Sequence, residues 1–311
     1  MDSQPGITES VADDGAESVA PVPADARLPT PLELAGQYFD LWSLQNPPRH
    51  LNEAAVRALC RNAYLGGDMA VCRVLGRYRM FVDTQDVGLS TFLLLDGYWE
   101  MWTTEAMLRF IRPGMTAVDI GANLGYFTML MGDLVGPSGR VVAFEPNPRM
   151  AERARRSAHV NGFAPYTQLH EVALSDYQGD TVMFVPPTEP KNAHFSQASG
   201  RDGEIRVRVQ RADAFDAILD ADFIKIDTEG AEDAVWRGMD GLLRRNRPLT
   251  VFMEFTPVRY ADAAGFLDTI LSDGFALHRI DYFDPQVVVP TTREAVLSAP
   301  PHEDQMLVLI R

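Results

Sequence analysis

After Arg112-Pro113-Gly114 the chain alternates short apolar runs that end in an acid with stretches of helical periodicity, and few architectures accept that rhythm. TAVDIG closes on a glycine turn and precedes YFTMLMGDLV; RVVAFE precedes MAERARRSAHVNG. YTQLHEVAL reads as a third strand, and FIKID as another after a polar segment. LTVFMEF follows AEDAVWRGMDGLLRR, and FALHRIDYF and QMLVLIR close the chain as two strands without a strong helix between them. Strands joined through helices of ten or more residues imply a mainly parallel sheet covered on both faces. The expected fold is therefore α/β and Rossmann-like, spanning 96–311.

The preceding segments read differently. Residues 1–30 are rich in Asp, Glu, Ala, Ser and Pro and cannot bury enough surface to order, so a disordered acidic tail is expected. Residues 31–95 form an appendage that covers or oligomerises the domain behind it, which keeps a homo-oligomer among the expected partners. LELAGQYFDLW and LNEAAVRALC have helical spacing, Gly66-Gly67 should end a helix, and Tyr78 to Leu95 looks like two strands around Asp86-Val87-Gly88.

Charge and cysteine usage exclude several classes. With 28 basic and 43 acidic side chains the net charge is −15, which opposes nucleic-acid phosphate and anionic membrane surfaces. No apolar run approaches the ~20 residues needed to span a bilayer. No secretory signal is evident, and the two cysteines, Cys60 and Cys72, make neither a zinc pattern nor a disulfide framework, so a cytoplasmic location is expected.

Ligands of open α/β sheets gather at the carboxyl ends of the strands. The first such end is VDIGANLGYF, where Gly121 and Gly125 have three residues between them. A dinucleotide fingerprint needs a middle glycine so that backbone meets pyrophosphate, and Asn123 stands there instead. That disfavours an NAD(P)-dependent oxidoreductase. Asp119-x-Gly121-x-x-x-Gly125 is the pattern of S-adenosylmethionine binders, and Glu145, 26 residues beyond Asp119, is placed for ribose hydroxyls.

GYWE (Gly97 to Glu100), VDIGANLGYFT, FEPNP and FIKIDTEGAE, in this order and spacing, resemble the FkbM family of S-adenosylmethionine-dependent methyltransferases over roughly Asp96 to Phe255. The resemblance implies a class I methyltransferase fold, a seven-stranded mostly parallel sheet ending in an antiparallel pair. It implies that Asp119, Gly121, Asn123 and Gly125 line the methionine end of the cofactor, that Glu145 holds the ribose, and that Leu174 and Ser175 lie near the adenine. Glu100 joins this cofactor set, closing one wall of the cleft with Trp99 and Trp102. The implied reaction is O-methylation of a hydroxyl on a sugar, glycan or secondary metabolite, the acceptor being a small molecule or a glycan. A cofactor-fold binding protein without catalysis is the further alternative, against which Asp119, Glu145 and Asp227 weigh.

An alcohol attacks a sulfonium methyl only as its proton leaves, to a base or with help from a metal. Asp227, at the end of FIKID, is the expected catalytic carboxylate, with Glu229 assisting and His194 as another candidate base. If a metal takes part, Asp227 and Glu254 are its ligands and Mg²⁺ suits their oxygens. Glu232 and Asp233 favour the N-terminus of the following helix.

Overall fold

The computed structural model describes residues 38–45, 48–283 and 287–311. The tail expected over 1–30 lies outside them, as does the start of the helix expected around LELAGQYFDLW; from that segment Leu41–Gln45 forms a 3-10 turn. Helix α1 (Arg49–Leu59) follows, then an antiparallel sheet of β1 (Asn62–Gly66), β2 (Met69–Val74) and β3 (Tyr78–Asp83). Two expectations fail here. Gly66 and Gly67 end no helix; with φ of 98° and 61°, Gly66 ends β1 and Gly67 opens the hairpin turn to β2, where glycine meets no steric cost. The second strand expected up to Leu95 is helix α2 (Leu89–Leu95). Asp86 accounts for this: its two carboxylate oxygens accept from the Gly88 and Ser90 N–H groups, each at 2.8 Å, and satisfy donors that a starting helix leaves open.

Helix α3 (Met101–Phe110) leads into β4 (Thr116–Ile120), α4 (Tyr126–Val135), β5 (Arg140–Phe144), α5 (Pro148–Val160) and β6 (Thr167–His170). YTQLHEVAL is not one strand, because its end leaves the main sheet as β7 (Ala173–Leu174). With β8 (Gly179–Phe184), β9 (His194–Ser196) and β10 (Glu204–Gln210), β7 forms a separate sheet ordered β7-β10-β8-β9. Then come β11 (Phe223–Ile226), α6 (Glu232–Gly238), α7 (Asp240–Leu243), β12 (Thr250–Phe255) and α8 (Ala263–Ser272). The described chain closes with β13 (Ala276–Ile280), β14 (Val288–Pro290), α9 (Arg293–Ser298) and β15 (Gln305–Ile310). Short α9 stands between the two closing strands, where no strong helix was expected.

The main sheet runs β14-β13-β15-β12-β11-β4-β5-β6. Strands β6, β5, β4, β11 and β12 are parallel, and β15 is antiparallel to both β12 and β13. This is the class I methyltransferase architecture with one strand more than the expected seven, the three-residue β14 at the edge. Cover on both faces explains the apolar runs: every residue of β11 is buried. On one face Val56, Val74 and Met80 of the N-terminal segment share a core with Leu130 of α4 and Phe252 of β12. Strand β3 lies against α5, so the segment packs over the helices of this face. The other face packs Trp236, Leu267 and Ile270 against β11 and β12. Full burial of one such side chain contributes about 1.5–3 kcal/mol. No helix among the described residues is long and apolar enough to cross a membrane.

Candidate active site

The turn after β4 is built from backbone that few residues adopt. Gly121, Asn123 and Gly125 have φ of 84°, 51° and 83°. At Gly121 a Cβ would stand 1.8 Å from the Asp227 carbonyl oxygen, so only glycine lets the ends of β4 and β11 close up. Asn123 tolerates the left-handed region, and its side chain accepts from the Leu124 N–H at 2.7 Å. At Gly125 a Cβ would meet Ala154 of α5 at 2.9 Å, so this glycine serves helix packing.

Glu145, at the end of β5, is buried and holds that turn: its Oε2 accepts from the Asn123 N–H at 2.7 Å and Oε1 from the Asn147 N–H at 2.8 Å. Asn147 in turn caps α5 by accepting from the Arg149 N–H, with Pro148 opening the helix. Burial pushes the Glu145 carboxyl up to about 7 despite the two N–H donors. Asp119 is buried beneath the turn. Its Oδ2 accepts from the Thr128 hydroxyl at 2.5 Å, while Oδ1 has no hydrogen-bond partner among the described residues.

Two cavities open along this edge. The first is walled by Phe144, Val172, Leu174 and Met183, with Glu145 and Gly121 at one side. The second lies under Trp99, Trp102, Tyr126 and Tyr282 and carries Glu100, Glu254 and Arg259. Gly121, Asn123, Lys191, Asp227 and Glu229 line both, so the cavities meet at two carboxylates.

Most predicted residues gather here, in an altered distribution. Glu100, expected with the cofactor, lines the second cavity and not the first. Its φ of 37° is strained for glutamate and its Oε2 is a buried atom with no hydrogen-bond partner among the described residues. Ser175 is buried but lines neither cavity, whereas Leu174 lines the first. His194, exposed on β9, lines the first cavity together with Asp227 and Glu229 and does not line the second; its Nδ1 lies 3.1 Å from the Asn192 carbonyl oxygen. Glu232 is buried and accepts from Thr228, Gly230 and the Tyr260 hydroxyl, tying the turn as well as starting α6.

Two cations absent from the expected set complete the centre. Lys225 is two residues before Asp227 on β11, so both side chains share a face. Its buried Nζ lies 2.8 Å from Asp227 Oδ2 and 4.7 Å from the Phe127 ring centroid, and its strand position pairs with Asp119. The spacing Lys225-Ile226-Asp227 was a legible signal for it. Arg259, in the turn after β12, reaches Glu254 at 2.7 Å, Glu229 at 2.8 Å and Asp304 at 3.7 Å. No local pattern marks it.

Asp227, Glu229 and Glu254 each bring an oxygen within 4.8 Å of the others, a spacing a metal ion could use. Each already faces a protein cation, however: Asp227 has Lys225, and Glu229 and Glu254 share Arg259. A divalent ion placed among them would meet the repulsion of that guanidinium and of the Lys225 ammonium. The arrangement does not fit Mg²⁺. Burial, then Asp227, pushes Glu229 up to about 7, and burial with both neighbours raises Glu254.

The first cavity fits S-adenosylmethionine, with apolar walls for a base and buried Glu145 for hydroxyls. Comparison with known proteins gives the family. The model of the methyltransferase FkbM domain matches residues 119–282, just over half of the 311-residue chain. A protein-L-isoaspartate O-methyltransferase of Aeropyrum pernix is 40% identical over 65 residues, 21% of this chain and 24% of that protein. One from Triticum aestivum is 38% identical over 89 residues, 29% of this chain and 38% of its own length. The chain thus spans well under half of these curated relatives. Among solved structures, the methyltransferase FkbM from Methylobacillus flagellatus KT aligns at 15% identity and a TM-score of 0.41, over 70% of this chain and 52% of that one. An O-methyltransferase from Bacillus cereus in complex with S-adenosylhomocysteine aligns at 14% identity and a TM-score of 0.38, over 63% of this chain and 73% of that one.

Proposed function

The chain belongs to the FkbM family of S-adenosylmethionine-dependent methyltransferases, and from that premise we propose that it methylates a hydroxyl of a sugar, glycan or other polyhydroxylated small molecule. One observation carries this reading: the apolar first cavity and the second cavity, rich in carboxylates and aromatic rings, meet at Asp227 and Glu229. When bound, S-adenosylmethionine supplies an electrophilic methyl group.

The chain's residues supply the rest. Gly121 and Asn123 shape the cofactor's seat, and Glu145 accepts from its ribose hydroxyls. Asp227, held by Lys225, orients the acceptor hydroxyl, and Glu229 takes its proton; a carboxyl near 7 both receives and releases a proton at neutral pH. Holding the hydroxyl in line supplies much of the acceleration. Trp99, Trp102 and Tyr282 offer apolar faces suited to a sugar ring, and the surrounding acids accept from its hydroxyls. No metal enters this chemistry, and a cytoplasmic site of action belongs to the same reading.

The test is a panel of neutral polyols, glycosides and amines with methyl-labelled S-adenosylmethionine, followed by NMR of the product. A new O-methyl resonance is the expected result, with Asp227→Asn slowing turnover at least a hundredfold. N-methyl product, or no transfer to any hydroxyl, would overturn the reading.

A further inference from the structure

We propose that Arg259 is the resident cation of the carboxylate centre, aligning Glu229 and Glu254 toward the second cavity and excluding a divalent ion from the place between them. The consequence for methyl transfer rests on the acceptor reading above; the cation's own role does not.

Position argues first. The guanidinium is bound through two nitrogens to two carboxylates from different elements, Nη1 to Glu254 of β12 and Nη2 to Glu229 of the turn after β11. A planar fork holds two carboxylates in set directions, which a hydrated point charge does not. The third neighbour, Asp304, lies at 3.7 Å, and all four residues line the same cavity.

The turn carrying Arg259 is also fixed on every side. The Arg259 N–H donates to the Thr256 carbonyl at 2.9 Å, and the Val258 N–H to the Pro301 carbonyl at 3.2 Å. Thr256 donates its hydroxyl to Asp304 at 2.6 Å. Tyr260 stacks on Phe255, ring centroids 4.9 Å apart, and donates its hydroxyl to buried Glu232 at 2.7 Å. Gly230 is shaped to receive the arginine: a Cβ there would stand 3.3 Å from Arg259 Cβ, on backbone with φ of 103°. Glycine thus serves both the turn and the close approach of the cation. A surface arginine has no need of such fixtures.

The cluster's spacing lets it hold a metal once this charge is gone. Full-length protein is titrated with Mn²⁺ and the free-ion signal followed by electron paramagnetic resonance, for wild type, R259M, R259K and R259M/E254Q. The wild type should leave the Mn²⁺ signal that of free ion. R259M should bind one Mn²⁺ at least tenfold more tightly than wild type. R259K should restore exclusion, and R259M/E254Q should abolish the acquired site. Retained S-adenosylhomocysteine binding shows that each variant is folded. Mn²⁺ bound by the wild type and released by E254Q would overturn the proposal, as would folded R259M binding no more than wild type. Should R259M not fold, R259Q takes its place with the same expected and overturning results. No acceptor is needed, so a failed acceptor panel and a failed metal result are separate outcomes.

Discussion

Glu100, Asn123 and Glu229 have left-handed backbone, with φ of 37°, 51° and 58°, and all three line the second cavity. Strain at non-glycine residues persists where surrounding structure over-determines it, which fits a preorganised site. Gly121 is the most demanding position of the turn. Gly121→Ala should cost several kcal/mol or push β4 from β11, seen as a lower Tm together with loss of S-adenosylhomocysteine binding by calorimetry. Glu145 gives a prediction with a sign. Its folded value near 7 lies above the ordinary 4.5, so folding takes up a proton between them. Stability from this group is full below about 4.5 and lost as pH rises through 7, on the order of 3 kcal/mol at ~1.4 kcal/mol per unit. The Tm of cofactor-free protein should carry that falling contribution, and Glu145→Gln should remove it. Cofactor affinity should run the opposite way, rising with pH through 7, because the ionised carboxylate is the better acceptor for ribose hydroxyls. Calorimetry with S-adenosylhomocysteine should show a Kd at least tenfold weaker in Glu145→Gln; equal affinities would remove Glu145 from the ribose site.

At the level of elements, α5 joins the N-terminal sheet to the main one through ions. Asp83, wholly buried at the end of β3, lies 2.8 Å from Arg149 and 3.6 Å from Arg153, and Arg153 also reaches Asp68 at 2.9 Å. Asp83→Ala should lower stability in urea denaturation, and Asp83→Asn less, since an amide still accepts a hydrogen bond; Arg153 keeps Asp68, and partly exposed Arg149 can turn to water. The elements also show why local pattern reads some segments well. The alternating arginines of GEIRVRVQR are the exposed face of β10 and its valines the buried one, because side-chain direction in a strand has period two. The same reasoning failed at Leu89–Leu95, whose apolar run suits helix or strand; the Asp86 cap settled it.

Across the whole molecule, the parallel order brings residues far apart in sequence to one edge, where the two cavities meet. The succession of strands and helices, the glycine turn after β4, Glu145 and the Asp227–Glu229 turn were legible in the sequence, because each depends on period, spacing or a backbone conformation encoded within a few residues. Lys225 was legible in principle through its two-residue offset from Asp227. Other features depended on tertiary structure: that the N-terminal sheet packs over α5, that Glu100 lines the second cavity and not the first, and that His194 lines the first and not the second. Above all, Arg259 meets Glu229 and Glu254 only because β11 and β12 run side by side and their following turns face each other. The sequence by itself determined which acids stand at the strand ends. Which cation answers them was decided by the fold, since an ion pair across two strands has no signature in either one.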